Sequence, residues 1–230
     1  MNQTYYTAVG RFEKRSDGLG LACPVIIIHQ KEYMVDLQEM IVWTSLNWLI
    51  LRQREILQLY AKAGLASGVS EGRSCAECLD RLLIRGLVIS GSGGTGFDAL
   101  YDLLNSLYVI PATGSFGLRL FSFLKLTLWN GLPFASTRKL LQKDRRSADE
   151  EQIMQLSKQA LLSTAELIKC VDQGVRDLSS GEKILGALYN DDDTTSDNIG
   201  SLMRVSRSKE PVTLAVANLY LRKQIIFERI

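Results

Sequence analysis

The sequence predicts a mostly α-helical protein with a short β-hairpin in front, a first compact unit ending near residue 112, and a helical second unit. Three observations carry this. Apolar residues recur at helical spacing over most of the chain after Asp36. Serine, threonine or aspartate followed three residues later by an acid marks one helix start after another. Strand-like runs are short and concentrated before Val35.

The chain has 230 residues, enough for one large or two small domains, and its 46% hydrophobic and 23% charged content suits a packed core rather than disorder. A net charge of +2 lacks the broad basic field of a typical nucleic-acid binder, so a polyanion contact would have to use local patches. Four cysteines, Cys23, Cys75, Cys78 and Cys170, are too few for a disulfide scaffold. The amino terminus lacks a signal-peptide pattern, and no apolar window reaches the ~20 residues that span a bilayer. The expectation is a soluble cytoplasmic protein without a membrane partner.

From Tyr5 to Val35 the pattern predicts strands, with Cys23-Pro-Val-Ile-Ile-Ile-His29 as the β-branched centre of a hairpin. His29 is the only histidine, so no histidine partner could join it in a metal site. At Asp36 the period changes. Asp36-Leu-Gln-Glu39 forms a capping box ahead of Met40, Ile41, Thr44 and Trp48. A second helix from about Arg52 carries Ile56, Leu57, Leu59 and Tyr60 and stops at Gly64. Ser74-Cys-Ala-Glu77 opens a third, whose buried side is Cys75, Cys78, Leu79, Leu82 and Leu83, and Gly86 ends it before the short strand Leu87-Val-Ile89.

Helix, helix, helix, strand, turn is the order of a winged helix-turn-helix. Leu79, Leu82, Arg85, Gly86, Leu87 and Val88 resemble the end of the recognition helix and the first wing strand in bacterial winged-helix repressors of the multidrug-resistance and β-lactamase type. The resemblance covers residues 36 to 111 and implies a winged-helix-like first domain that binds duplex DNA. The residues it assigns to phosphate and base contacts are Arg73, Ser74, Arg81 and Arg85. Two features depart from that pattern. Glu77 and Asp80 lie on the outward side of the third helix, and Phe97-Asp-Ala-Leu-Tyr-Asp reads as a helix where a second wing strand belongs.

Gly91-Ser-Gly93-Gly-Thr-Gly96 satisfies G-x-G-x-x-G between a strand and a helix, the setting of a dinucleotide fingerprint. The preceding residues are helical, and no acid follows the next apolar run to hold a ribose. Nucleotide binding is therefore the third-ranked function, and no cofactor is expected. Cys75 and Cys78 form C-x-x-C without further ligands for zinc, and read as small core residues.

Beyond residue 112, Phe116 to Phe134 predicts an amphipathic helix, and Arg138 to Arg146 forms a basic linker. Ser147-Ala-Asp-Glu150 starts a long helix to about Val171. Ser179-Ser-Gly-Glu182 starts one ending near Tyr189, and Thr194-Thr-Ser-Asp197 starts a short one burying Ile199, Leu202 and Met203. The last helix begins at Ser208-Lys-Glu-Pro211 and continues through Ile226. Short helix, loop, helix is again helix-turn-helix spacing, which adds Ser201, Arg204 and Arg207 as DNA contacts. The boundaries are a domain over 1–112, a helix and linker over 113–147, and a helical bundle over 148–230.

No nucleophile elbow, H-E-x-x-H or P-loop lysine is present, so the chain is not expected to be an enzyme. The leading expectation is a DNA-binding transcriptional regulator acting as a homodimer on double-stranded DNA, with the helical region serving dimerisation or an effector. The alternative is a protein-interaction adaptor on the same scaffold.

Overall fold

The computed structural model describes residues 2–16, 22–67, 72–112, 145–175, 180–191 and 193–229. The expected helix over Phe116 to Phe134 lies outside them, as does the basic run apart from Arg145 and Arg146.

The strands in chain order are β1 (Gln3–Ala8), β2 (Arg11–Ser16), β3 (Ala22–Ile28), β4 (Lys31–Met34), β5 (Val88–Gly93), β6 (Tyr108–Pro111), β7 (Leu162–Ser163) and β8 (Ile225–Glu228). The helices are α1 (Leu37–Leu46), α2 (Gln53–Ser67), α3 (Cys75–Ile84), α4 (Gly96–Leu104), α5 (Ala148–Gln159), α6 (Thr164–Asp172), α7 (Gly181–Leu188), α8 (Ile199–Leu202) and α9 (Lys209–Leu221).

The mostly α layout does not hold. The described residues form three small sheets, β1-β5, β2-β3-β4 and β7-β6-β8, so the protein is mixed α/β and its second half is not a helical bundle. The amino-terminal strands are not a single hairpin either. β1 leaves the β2-β3-β4 meander and pairs antiparallel with β5, nearly ninety residues on. Helical periodicity also overran two breaks. The expected helix from Ser147 to Val171 stops at Ala160, passes through β7, and restarts because Ser163 and Glu166 form their own capping box. The last helix ends at Leu221, since Lys223 turns to φ 60, and the β-branched run that follows becomes β8. Over residues 53–63 of α2 Ile56 alone is fully buried, while Leu57 and Leu59 are exposed; in α8 Ile199 is buried and Leu202 exposed.

One topological unit occurs twice. In the first, β1 lies between Leu51, through the isolated bridge Tyr6–Leu51, and β5. In the second, β6 lies between β7, through Val109–Leu162, and β8. Apart from insertions, β2-β3-β4 after β1 in the first and α7 and α8 after α6 in the second, each unit runs central strand, helix, edge residue, helix, final helix, second edge strand, as β1-α1-Leu51-α2-α3-β5 and β6-α5-β7-α6-α9-β8. At one constant spacing Asp36, Glu39, Val42, Trp43, Leu46 and Leu51 correspond to Ser147, Glu150, Ile153, Met154, Ser157 and Leu162. Both members of each pair from Glu39 to Leu46 are buried. At a second constant spacing Cys75, Cys78, Leu79, Leu82, Arg85 and Val88 correspond to Val212, Ala215, Val216, Leu219, Arg222 and Ile225. The apolar members of these pairs are buried as well.

The final helix of each unit stops in the same way. Gly86 N donates to Leu83 O and Leu87 N to Leu82 O (3.0 and 2.9 Å), while Lys223 N donates to Tyr220 O and Gln224 N to Leu219 O (2.8 and 2.9 Å). Gly86 takes φ 69 without penalty, whereas Lys223 adopts φ 60 with a Cβ present.

Tyr220 joins the two units. Its hydroxyl accepts from Trp48 N at 2.9 Å and from Thr7 Oγ1 at 3.0 Å, and donates towards Ala8 O at 3.3 Å, while its ring stacks on Phe227. Burial pushes the phenol up to about 12, so it stays a neutral donor and acceptor at ordinary pH. Trp48 Nε1 donates to Ile225 O (3.3 Å) and Gly10 N to Phe227 O (2.8 Å) across the same seam. Tyr220→Phe, which strands the Trp48 amide while leaving the Thr7 hydroxyl its bond to Leu49 O, is expected to lower unfolding stability by about 1–3 kcal/mol in urea titrations. A midpoint equal to the parent protein's would remove Tyr220 as the joint.

Candidate functional site

The arginines expected on a phosphate-facing surface converge on one buried carboxylate. Glu39 is the third residue of α1, and its capping box is intact: Glu39 N donates to Asp36 Oδ1 (2.8 Å) and Asp36 N to Glu39 Oε2 (3.2 Å). Its side chain is only 2% exposed. Arg81 Nε reaches Glu39 Oε1 at 2.6 Å, Arg85 Nη1 reaches Oε2 at 3.0 Å, and Arg73 Nη1 lies 3.8 Å from Oε1. Arg73 also pairs with Asp36, and Arg85 Nη2 donates to Met34 O. Burial works to raise the Asp36 carboxyl, but the Glu39 amide and the Arg73 guanidinium outweigh it and hold the group below its ordinary value.

This cluster ties α3 to the start of α1 and to the end of β4. A buried carboxylate needs its cations, because stripping water from it costs several kcal/mol unless the charge is matched. Arg81 and Arg85 are therefore both ion-paired with Glu39, Arg85 with most of its side chain covered and Arg81 with 51% of its side chain still in solvent. Ser74 is the N-cap of α3: its hydroxyl accepts from Glu77 N (3.2 Å), and Glu77 answers on the Ser74 amide (2.8 Å). What α3 shows outward is Glu77, Asp80 and Ile84, the last 86% exposed, together with the half-exposed Arg81.

The second unit repeats the device. Glu150, third residue of α5 and capped by Ser147, accepts from Arg222 Nη1 at 3.0 Å. Arg222 corresponds to Arg85 and Glu150 to Glu39. Ser201, Arg204 and Arg207 fall elsewhere in this unit. Arg204 Nη2 binds Asp102 Oδ1 at 2.9 Å, with its guanidinium 5.8 Å from the centre of the Tyr101 ring. Ser201 and Arg207 are exposed, and Arg207 has no acidic partner among the described residues.

Two glycines of the glycine-rich turn are packing positions. Gly91 and Gly93 lie inside β5, where α4 presses on the strand: a Cβ on Gly91 would meet Leu103 N at 2.1 Å, and one on Gly93 would meet Ala99 N at 2.5 Å. Nearby amides are spent within the fold, Ser92 N on Asp102 Oδ2 (2.9 Å) and Asp98 N on the Thr95 hydroxyl (3.0 Å). The glycines are there so that helix and strand can touch.

Cys75, Cys78 and Cys170 are free and buried. Burial pushes the Cys75 thiol up to about 11 and the Cys170 thiol up to about 12, away from the thiolate that redox and metal chemistry need. A separate polar knot anchors the loop after α7. Lys169 Nζ donates to Asp191 Oδ2 (2.7 Å) and Thr194 Oγ1 (2.6 Å), and the Tyr189 hydroxyl donates to Glu166 Oε1 (2.5 Å). Each of these groups is paired within the fold. Among the described residues no helix is long and apolar enough to cross a membrane.

No family model, curated protein or solved structure matches the chain.

The Glu39 cluster was not foreseen, because Glu39 was read only as a capping residue. A signal was present: an acid on the buried side of α1, in phase with Val42, Trp43 and Leu46, requires a cation from another element. The packing explanation of the glycines separates two substitutions. Gly91→Ala is expected to cost about 1–3 kcal/mol of stability, since the colliding atoms are backbone. Gly94→Ala, with nothing within 4 Å of its Cβ, is expected to leave the thermal midpoint near the parent value. Equal effects in a melting experiment would contradict the packing role.

Proposed function

We propose that the protein is a non-enzymatic binding module that recognises another protein through the outward face of α3. The observation that carries this is the capture of Arg73, Arg81 and Arg85 by Asp36 and Glu39. What remains outward is Glu77, Asp80 and Ile84, beside Arg81, whose half-exposed guanidinium has its charge matched by Glu39. Such a face repels phosphate and suits a partner offering a basic group beside an apolar side chain. An exposed isoleucine at a helix end is a natural anchor when acids around it set orientation.

A second reading keeps duplex DNA as the partner, engaged through the second unit. Arg207 favours it, being exposed without an acidic partner among the described residues, while Arg204 would have to leave Asp102 to take part.

Ile84→Asp and Asp80→Lys should each abolish recovery of a partner that co-purifies with the parent chain, with circular dichroism unchanged because both side chains are exposed. If the lost partner is a second copy, sedimentation of the purified chain falls from dimer to monomer in the same variants. Salt-dependent duplex binding that disappears in Arg204→Ala/Arg207→Ala and survives in Ile84→Asp would overturn the protein-partner reading in favour of DNA.

A further inference from the structure

The turn between β3 and β4, the end of α3 and the end of β8 enclose a pocket of about 250 Å3, and its walls are unusually cationic. His29, Lys31, Arg85 and Arg229 line it, with Tyr33 and Ile84 as the less polar sides. Arg85 is partly neutralised by Glu39. Among the described residues, Lys31 and Arg229 have no acidic partner. The Arg229 guanidinium sits over Gly86, where a Cβ would lie 3.3 Å from Nη1. Gly86 thus lets the guanidinium approach the backbone at the end of α3.

The turn is costly to build. Ile28 and Lys31 are paired across a two-residue loop, and both loop residues take positive φ, His29 at 46° and Gln30 at 65°. A loop of this length ordinarily uses Asn-Gly or Gly residues, because a Cβ makes each left-handed position unfavourable by about 1 kcal/mol or more. Here the strain is held from the other unit. Glu228 Oε2, on β8, accepts the His29 amide at 2.7 Å, which spends that carboxylate oxygen on the backbone. A strained turn pinned by a partly buried glutamate places a histidine at the rim of a pocket with unpaired Lys31 and Arg229. Folding alone does not call for that choice of residues.

We propose that this pocket binds the phosphate group of a small molecule. Arg229 offers a planar pair of donors that matches two phosphate oxygens, Lys31 adds a point charge, and His29 and Tyr33 supply further polar edges. The volume admits one phosphate and a body of a few heavy atoms against Ile84. The ligand is distinct from the protein partner proposed for α3, and either can fail without the other.

The test is titration calorimetry on the full chain at constant ionic strength, with inorganic phosphate, glycerol 3-phosphate and acetate as separate probes. Saturable binding of at least one phosphate probe, with weaker or no binding of acetate, is expected. The Kd should rise about tenfold or more in Lys31→Ala and in Arg229→Ala, and stay unchanged in Lys62→Ala, an exposed lysine on α2. Tighter binding of glycerol 3-phosphate than of phosphate identifies an esterified ligand, and the reverse identifies free phosphate. Both side chains are solvent-exposed, and unchanged circular dichroism with an unchanged thermal midpoint in the absence of ligand confirms that each variant is folded. No saturable heat with either phosphate probe, or equal loss in Lys62→Ala, overturns the proposal.

Discussion

A buried glutamate at the third position of one helix, paired with an arginine at the end of another, is the constraint on which each half of this protein depends. Glu39 with Arg85 and Glu150 with Arg222 are the same contact at the same distance, 3.0 Å, in two units of the same topology. Each glutamate does two things at once. It closes the capping box that starts its helix, and it receives the guanidinium that positions the last helix of the unit before that helix turns into the edge strand. Losing the arginine would leave a carboxylate with little access to water, while losing the glutamate would free a partly exposed arginine that water can still reach.

The consequence for function is a redistribution of charge. Arginines in a row on a helix invite a reading as phosphate contacts, and Arg81 and Arg85 on α3 look like such a pair. The buried acid holds them in ion pairs, together with Arg73, so that the outer face of α3 carries Glu77, Asp80, Ile84 and an Arg81 whose charge is already matched. The unpaired positive charge instead gathers where the β3–β4 turn meets β8, at Lys31 and Arg229. The proposed protein-binding face and the proposed anion pocket meet at Ile84, which is exposed on α3 and lines the pocket.

Local signals were legible and tertiary ones were not. The helix starts at Asp36, Ser74 and Ser147 announce themselves because a capping box lies within four residues, and all three form. The buried side of α3 follows from its spacing, with Leu83 alone half-buried. The box at Ser163-Thr-Ala-Glu166 was hidden inside a run whose apolar residues continue in helical phase on both sides of the break, so α5 and α6 read as one helix. β8 was lost the same way, because Ile226 falls in phase with α9 and the turn at Lys223 lacks the glycine that flags Gly86. Glu39 lies 42 residues from Arg81 and 46 from Arg85, beyond any local pattern. The repeat itself is nearly silent in the sequence. Glu39 and Glu150, Leu51 and Leu162, Leu82 and Leu219, and Arg85 and Arg222 are identical, but most other equivalent positions named above share burial rather than residue type.

A double-mutant cycle on the second unit tests the shared device most directly, because among the described residues Arg222 is the one cation paired with the Glu150 carboxylate. Glu150→Gln, Arg222→Ala and the double variant would be compared by urea unfolding, with Glu39→Gln and Arg85→Ala as the matching cycle in the first unit. A coupling of about 1–3 kcal/mol in both units is predicted, since residues in one charge network do not act independently. Additive effects within about 0.5 kcal/mol in either cycle would contradict the claim that the glutamate–arginine contact holds both halves.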